Sequence, residues 1–431
     1  MYLVNKIKEK ISSEFVKNSA ILLIANLISQ IVAIIVYPII TRQYQPEDLG
    51  VLALFLSIGT IGFDLASAKY DSAIMIEKRD KLAGSIFDLI LLINLIVCLI
   101  FWGFITFFKN WFITTFELES VAKYLFYIPI FIFFSRLNSS FQYWFNRNER
   151  FKLTARNMIV QSSANSILKV LFGFLKMTKI GLILSTLFGQ ILAAFAIIFR
   201  KRNYAKYIYR FNRKEMVTMA KKYAHFPLFT LPQSLVNTIS GQIPIFILAP
   251  AFGMTEVGFF SLALTIGQKP ITVFCSSMYQ IFFQKVSQNK NNHISSFLLI
   301  KKFCLNISLV FLPIFIILGI FMPQIVTFLF GNGWYNSAVY LQIMMPWFFL
   351  TLLTSSLNYT PLIAGKQATA LILEILYAAI RIILLLIGVY YKDVKLAFIL
   401  YSLGSTIFLL GQLIWYLYLT KNLKYEEDSI E

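Results

Sequence analysis

The sequence predicts an all-α integral membrane protein with about twelve transmembrane helices, built as two six-helix repeats (N- and C-lobes) around a central cleft. The membrane class follows from composition: 58% of the residues are hydrophobic and 14% are charged, whereas soluble proteins carry about 25% charged residues. Apolar runs of about 18 residues or more recur along the chain, and each can cross a hydrocarbon core of about 30 Å. An internal repeat predicts the two halves.

The apolar runs place twelve spans near 18–41, 49–68, 85–108, 124–145, 155–175, 180–199, 225–249, 256–284, 303–330, 338–360, 368–390 and 396–420. Most of the 39 Lys and Arg residues then fall in alternate connections, which by the positive-inside rule places both termini in the cytoplasm. The net charge of +19 is therefore a topology signal, with attraction to membrane lipids as a secondary effect. No nucleic-acid partner is predicted.

Two pairs of similar segments indicate the repeat. Residues 48–59 (DLGVLALFLSIG) recur as 256–267 (EVGFFSLALTIG), and residues 137–143 share Leu, Ser, Ser and Tyr with 353–359. Six spans separate the copies, so both halves enter the membrane in the same direction, and a pseudo-two-fold axis along the membrane normal is expected. The predicted organisation is an N-lobe (1–199, spans 1–6), a basic cytoplasmic linker (200–222) and a C-lobe (223–431, spans 7–12).

A polar stripe runs along the second span and recurs in the eighth, with residues three or four apart on one helical face. Its members are Ser57, Thr60, Asp64, Ser67 and Asp71 in the second span and Thr265, Gln268, Thr272, Cys275 and Tyr279 in the eighth. Polar groups facing lipid are unfavourable, so these faces should turn toward one another or toward water. The alternative is hydrogen bonding between helices without a cavity. The residues predicted to line a cavity are Asn26, Gln30, Ser57, Thr60, Asn237, Thr265, Gln268 and Thr272.

Ionisable residues at membrane depth suggest a function by default. The cations are Arg136, Lys169, Lys269 and Arg381, and the anions are Asp64, Asp88 and Glu374. The small excess of cations favours an anionic solute. For each cation, a salt bridge or snorkelling to the membrane surface is the alternative.

Features of enzymes and metalloproteins are scarce. Two isolated histidines and three cysteines in apolar stretches give no metal-ligand spacing and no nucleophile–base pair, so neither a cofactor nor a catalytic site is predicted. The acids that begin the second and eighth spans (Glu47, Asp48 and Glu256) could be read as the catalytic acids of a glycosyltransferase. Stabilisation of the helix N-termini explains them better.

Four segments resemble a known family: residues 37–58 (YPIITRQYQPEDLGVLALFLSI), 69–78 (KYDSAIMIEK), 141–162 (FQYWFNRNERFKLTARNMIVQS) and 331–349 (GNGWYNSAVYLQIMMPWFF). They are similar to bacterial polysaccharide export flippases, the O-antigen and capsule flippases of the Wzx type. These belong to a MATE-like superfamily that also holds multidrug exporters and the lipid II flippase.

The resemblance implies a flippase of the bacterial cytoplasmic membrane that turns undecaprenyl-diphosphate-linked oligosaccharides to the outer leaflet by alternating access. A polysaccharide polymerase and a chain-length regulator are the implied protein partners. A cationic cavity would hold the diphosphate. Position in the spans makes Lys269 and Arg381 the first candidates, followed by Arg136, Lys169, Arg42 and Lys69. Asp64, as a lone acid at membrane depth, is the candidate for coupling to a proton or sodium ion.

Two alternatives remain. A multidrug or organic-ion exporter of the same superfamily would want acids in its cavity for a cationic drug, whereas this interior leans positive. A membrane enzyme acting on lipid-linked sugar would need a sizeable outer loop with acids, Arg or His. The largest outer loop, near 109–123, holds only two acids.

Overall fold

The computed structural model describes residues 2–116, 119–199, 208–291 and 295–421, and every regular element in those residues is helical. The helices are α1 (Tyr2–Gln43), α2 (Pro46–Leu65), α3 (Asp71–Ile76), α4 (Asp80–Phe116), α5 (Glu119–Ala122), α6 (Ile128–Arg147), α7 (Phe151–Phe174), α8 (Thr178–Ile198), α9 (Arg213–Lys222), α10 (Leu231–Phe252), α11 (Met254–Asn291), α12 (Phe297–Phe330), α13 (Tyr335–Ser356), α14 (Thr360–Ile363), α15 (Gln367–Tyr390) and α16 (Val394–Lys421). A π-helical turn, Phe226–Thr230, precedes α10.

Ten helical segments in the described residues are long and apolar enough to cross a membrane, which confirms the all-α membrane class. They match ten of the predicted spans to within a few residues. The predicted spans at 124–145 and 155–175 correspond to α6 and α7, with 20 and 24 residues. Both reach about 30 Å or more, but they are less apolar than the other ten segments. Their crossing of the membrane stays a prediction.

The chain divides into two compact units, Met1–Pro250 and Ala251–Glu431. In the first unit, α7 packs along α1 and α8, and α6 packs against α2, α4 and α8. In the second unit, α13 packs against α11, α12 and α16, and α15 packs against α16. Most of α10 lies in the first unit, although the sequence repeat assigns this helix to the second half. The predicted lobes, 1–199 and 223–431, describe the repeat and stay a prediction.

The acids at the start of α2 have structural partners. Pro46 occupies the first helical position, where its fixed φ and missing N–H are tolerated. The Asp48 carboxylate accepts a hydrogen bond from the Gln45 backbone N–H at 2.9 Å, and Glu47 pairs with Lys179 of α8. These carboxylates therefore begin the helix and tie it to a neighbour, as the helix-terminus interpretation predicts.

The described part of the predicted linker folds back onto the first unit, whereas residues 200–207 lie outside the described residues. Asp88 of α4, which is fully buried, accepts hydrogen bonds from three successive backbone N–H groups, those of Tyr209 (2.6 Å), Arg210 (2.8 Å) and Phe211 (2.9 Å). Positive φ angles at Tyr209 (63°) and Phe211 (46°) accompany this arrangement. The carboxylate predicted to face the membrane interior is thus used to hold the linker.

Helix α9 is docked by two further acids. Glu77, which follows α3, accepts hydrogen bonds from the Lys222 ammonium and, at 3.1 Å, from the Tyr223 hydroxyl. Glu215 of α9 pairs with Lys81 and accepts a hydrogen bond from the Ser85 hydroxyl at 2.8 Å. The described part of the linker, residues 208–222, is therefore packed against the rest of the first unit.

The pKa of Glu77 determines how this docking responds to pH. Burial raises the pKa of Glu77, but hydrogen bonds from Lys222, the Arg79 backbone N–H and Tyr223 lower it more, so it lies below the ordinary value of 4.5. A lowered folded-state pKa means that the ionised group stabilises the folded arrangement above the ordinary pKa. That contribution is lost as the pH falls through the lower, folded-state value. Docking of α9 should therefore be constant from pH 7 to 5 and weaken only in stronger acid.

Replacing Glu77 with Gln should loosen α9 at neutral pH, because Lys222 loses its charged acceptor. We expect the backbone amides of α9 to exchange with deuterium about tenfold faster in Glu77→Gln. This factor corresponds to the free-energy contribution of one partly exposed charged hydrogen bond. Hydrogen–deuterium exchange at pH 7 measures this effect. Glu149→Gln, at an exposed acid, is the matched control. Equal exchange in Glu77→Gln and wild type would contradict the docking role.

Candidate functional site

The polar stripe of α2 faces α10 in the first unit. The Ser57 hydroxyl donates a hydrogen bond to the Gln242 side-chain oxygen at 2.7 Å. The Asp64 carboxylate, only 6% exposed, accepts hydrogen bonds from Ser234 at 2.9 Å and Thr238 at 2.5 Å. The three α10 residues are four apart, so they lie on one face of that helix. A row of hydrogen bonds therefore joins the two helices.

Lys69 completes this group of side chains. The chain turns sharply after α2, with positive φ at Ala68 (45°) and Lys69 (60°), and the turn directs the Lys69 ammonium back to the Asp64 carboxylate at 2.6 Å. Asp64, Lys69, Ser234 and Thr238 are called the Asp64 cluster below. The description of Asp64 as a lone acid is wrong, because Lys69 pairs with it. The two residues are five apart in the sequence, and the turn that brings their charges together is visible only in the backbone geometry. Its role in ion coupling stays a prediction.

Arg136 of α6 is neutralised inside the first unit. Its guanidinium lies 2.7 Å from the Asp71 carboxylate, and both side chains are almost fully buried, with 3% and 4% exposed. The guanidinium also donates hydrogen bonds to the Phe63 carbonyl (3.3 Å) and the Ser139 hydroxyl (3.1 Å), and it lies 4.2 Å from the centre of the Phe63 ring. Asp71 belongs to the predicted polar stripe, but the sequence analysis did not pair it with Arg136. The alternative of a salt bridge therefore describes this cation.

Arg381 of α15 has a different environment in the second unit. Its guanidinium lies 4.9 Å from the ring centres of Tyr377 and Tyr401 and 5.8 Å from the Trp347 ring, and it donates a hydrogen bond to the Tyr401 hydroxyl. The Trp347 N–H in turn donates to the Tyr377 hydroxyl at 2.9 Å. No carboxylate of the described residues forms an ion pair with Arg381. Aromatic faces and hydroxyls therefore hold this charge.

The aromatic surroundings of Arg381 were not predicted from the sequence. One signal was present, because Tyr377 precedes Arg381 by four residues and such pairs are neighbours on a helix. The rings of Trp347 and Tyr401 belong to α13 and α16, so their proximity to Arg381 depends on how these helices pack against α15. Glu374, seven residues before Arg381 on the same helix, forms no ion pair with it among the described residues.

The other predicted cations lie on separate elements. Arg42 is exposed near the end of α1, and Lys169 is partly buried on α7, where its backbone carbonyl accepts a hydrogen bond from the Tyr44 hydroxyl at 2.9 Å. Lys269 is partly buried on α11 in the second unit. Four of the six predicted cations, Arg42, Lys69, Arg136 and Lys169, belong to the first unit. Acids pair with Lys69 and Arg136.

Several predicted polar residues of the first unit make local contacts. Gln30 donates a hydrogen bond to the Asn26 side chain within α1 at 3.1 Å, and Thr60 donates to the Ser57 carbonyl at 2.9 Å. Asn237 is exposed on α10. In the first unit, hydrogen bonding within and between helices therefore accounts for most of the polar pattern.

The second unit contains an open polar cavity of about 570 Å³ between α11 and α13, called the α11–α13 cavity below. It is lined by Gln268, Ile271, Thr272, Cys275, Ser276, Tyr279, Thr351 and Ser355. Gln268 and Thr272 belong to the predicted set, and Cys275 and Tyr279 belong to the same stripe. Thr265, one turn earlier on α11, is not among the lining residues. Thr351 of α13 was not predicted from the sequence, although its spacing of four from Ser355 places both on one helical face.

A mostly apolar cavity of about 230 Å³ adjoins α11 on another side and shares Ile271 with the polar one. Pro270 and Gly267 of α11 line it together with Phe348 of α13. Gly267 allows the close approach of the two helices, because a Cβ at this position would lie 2.3 Å from the Phe348 ring. Helix α11 therefore presents a polar face and an apolar face to two separate spaces.

Comparisons with solved structures show the fold. A structure described as the inward-facing conformation of a multidrug resistance MATE family transporter of the MOP superfamily is 17% identical, with a TM-score of 0.68 over 94% of this chain and 99% of that chain. The lipid II flippase MurJ, in an inward closed conformation, is 17% identical, with a TM-score of 0.67 over 93% of this chain and 89% of that chain. A MATE structure in complex with MaD3S has a TM-score of 0.56 at 16% identity, over 95% of this chain and 96% of that chain.

Comparison with sequences identifies the family. None of the curated protein sequences compared with the chain matched it significantly. A family model described as polysaccharide biosynthesis protein matches residues 39–339, which is more than half of the chain. This match, with the transporter fold described above, confirms the resemblance predicted from the four sequence segments. The chain belongs to the family of polysaccharide biosynthesis proteins and has the helical membrane fold of MATE transporters and MurJ.

Proposed function

We propose that this protein is a flippase that moves an undecaprenyl-diphosphate-linked oligosaccharide across the bacterial cytoplasmic membrane by alternating access. One combination supports the proposal: a polysaccharide biosynthesis protein has the fold of transporters and flippases. Polysaccharide synthesis on a lipid carrier requires its charged, sugar-bearing intermediate to cross the membrane, and a charged group crosses hydrocarbon only at a large energetic cost. A transporter in this family would carry that intermediate across the membrane. We infer that the protein is such a transporter and not an enzyme.

The diphosphate is the anionic part of the proposed substrate. Arg381 is the strongest candidate to bind it, because aromatic rings and a hydroxyl stabilise its charge and no carboxylate of the described residues neutralises it. Lys269 is the second candidate in the same unit. Arg136 and Lys69 are weaker candidates, because acids already compensate their charges. Lys169 and Arg42 complete the proposed set.

Ion coupling is proposed for Asp64. Its carboxylate contacts two hydroxyls and an ammonium, so binding of a proton or sodium ion would change the balance of the whole Asp64 cluster. Because Ser234 and Thr238 lie on α10, such a change would act on the row of hydrogen bonds between α2 and α10. Binding of an ion at Asp64 could in this way change the position of α10 relative to α2.

The proposed site of action is the cytoplasmic membrane, with both termini in the cytoplasm according to the distribution of basic residues. Membrane lipids are the proposed surroundings of the exposed faces of the ten apolar helical segments. A polysaccharide polymerase and a chain-length regulator are the proposed protein partners, because they would act on the product of the flip.

Deletion of the gene in its native host tests the proposal. We expect an undecaprenyl-diphosphate-linked oligosaccharide to accumulate in the membrane while the surface glycan is lost, both measured by mass spectrometry. Expression of the wild-type chain should reverse both effects, whereas Arg381→Ala and Lys269→Ala should reverse them only partly. An unchanged pool of lipid-linked sugar, together with new sensitivity to cationic drugs, would overturn the flippase proposal in favour of an exporter.

A further inference from the structure

Most residues that line the α11–α13 cavity have polar but uncharged side chains. Its polar side chains are an amide, a thiol, a phenol and four aliphatic hydroxyls, and none of its lining residues is Lys, Arg, Asp or Glu. Its volume of about 570 Å³ falls within the range of about 300–1,000 Å³ that is usual for small-molecule sites. The cavity therefore suits a neutral ligand with many hydrogen-bonding groups.

Three of the four aliphatic hydroxyls of the cavity are oriented as acceptors. Thr272 donates its proton to the Gln268 carbonyl at 2.9 Å, Ser276 donates to the Val273 carbonyl at 2.9 Å, and Thr351 donates to the Trp347 carbonyl at 2.9 Å. With the proton of each hydroxyl used by the backbone, the lone pairs of its oxygen remain for a ligand. A ligand that supplies O–H or N–H donors matches these three hydroxyls, whereas phosphate or carboxylate oxygens would face acceptors there.

Tyr279 adds an aromatic surface at one end of the cavity. Its ring lies nearly parallel to that of Phe283, with 11° between the planes and 5.9 Å between the centres, and it packs edge-on against Tyr359 at 5.7 Å. These two contacts hold the orientation of the ring. The face of an aromatic ring carries partial negative charge and attracts the slightly positive C–H groups of a ligand, as on the apolar face of a pyranose.

We propose that the α11–α13 cavity binds the uncharged sugar units of the substrate and so selects neutral glycans over acidic ones. This inference rests on the proposed flippase function and deepens it, because it separates the sugar site from the cations that would hold the diphosphate. Thr351 and Ser355 of α13 and Gln268 of α11 are the specificity-determining residues. The sugar hydroxyls and acetamido N–H groups donate to the oxygens of these side chains.

Binding to the purified full-length protein in nanodiscs tests the proposal with three probes: undecaprenyl diphosphate, the same lipid carrying a neutral N-acetylhexosamine disaccharide, and the lipid carrying a disaccharide with a uronic acid. For the wild type, we expect the neutral disaccharide to lower Kd about tenfold relative to the bare lipid, the weight of one or two hydrogen bonds. The uronic acid should lower it little or not at all.

The variant Thr351→Val/Ser355→Ala removes two acceptors without changing charge or much volume. It should lose the gain from the neutral disaccharide while its Kd for the bare lipid stays within about twofold of the wild type. Thr406→Val is the matched control, because Thr406 of α16 is also partly buried and also donates its proton to a carbonyl one turn earlier, that of Ser402 at 2.7 Å. This control should keep the full gain.

The outcomes separate this inference from the function on which it rests. Binding of the bare lipid with no gain from the neutral disaccharide, or tighter binding of the acidic disaccharide than of the neutral one, would overturn the sugar site and leave the flippase proposal standing. Failure of all three lipids to bind would overturn both.

Discussion

Replacing Asp64 with Asn is expected to lower the rate of the proposed flipping activity about a hundredfold. The change leaves the Lys69 ammonium, which lies 2.6 Å from the carboxylate, without its counter-charge. Removing one partner of a buried ion pair costs about 3 kcal/mol or more, and each 1.4 kcal/mol is a factor of ten. The Asn side chain can also neither bind a proton nor provide a charged ligand for sodium. Flipping of a fluorescent lipid-linked oligosaccharide in proteoliposomes measures the effect.

A double variant separates ion coupling from electrostatic balance at this position. Asp64→Asn/Lys69→Met removes both charges, so its melting temperature in micelles should return close to that of the wild type. If Asp64 couples an ion to transport, the double variant should still flip slowly and should not respond to a proton or sodium gradient. Asp80→Asn, at an exposed acid paired with Arg147, is the control. Wild-type, gradient-driven flipping by the double variant would contradict the coupling role.

Replacing Arg136 with Met is expected to destabilise the protein by about 3–5 kcal/mol, the usual cost of leaving a buried charge unpaired. Asp71 would then hold a carboxylate that is almost fully buried and has lost its cation. The hydrogen bonds from the guanidinium to the Phe63 carbonyl and Ser139 would be lost as well. Chemical unfolding in detergent micelles, followed by circular dichroism, measures the loss.

The matched double variant Arg136→Met/Asp71→Leu should recover most of this loss, because well-packed apolar residues can replace a buried ion pair. If Arg136 has only this structural role, the double variant should also keep most of its flipping activity. A stable double variant that does not flip would instead support Arg136 as part of the cationic site. Arg79→Met, at an exposed arginine, should change the stability by about 0.5 kcal/mol or less.

The helices themselves were largely predictable from the sequence. Span positions depend on the local length and hydrophobicity of each segment, and ten predicted spans match helical segments of the described structure. The start of α2 was equally local, because Pro46 and Asp48 act within the first helical turn. Helices α6 and α7 lie where spans were predicted, but their lower hydrophobicity leaves membrane crossing to be tested.

The pairing of charges was not predictable, because it depends on the conformation of turns and on the packing of distant helices. Asp64 and Lys69 are five residues apart, but only the left-handed backbone at Ala68 and Lys69 brings their charges into contact. Asp71 and Arg136 are far apart in the chain and meet where α3 packs against α6. An inventory of charges along the sequence therefore does not reveal which cations are already paired with acids.

The sequence alone determined that α2 and α11 carry matching polar stripes, because helical periodicity and the repeat are properties of the chain. Only the tertiary structure decided what each stripe contacts. In the first unit, Ser57 and Asp64 of α2 form hydrogen bonds with side chains of α10. In the second unit, Gln268 and Thr272 of α11 line an open cavity. The physical reason is that a polar face in a membrane protein must be satisfied either by another helix or by water or a ligand, and the packing of neighbouring helices selects between them.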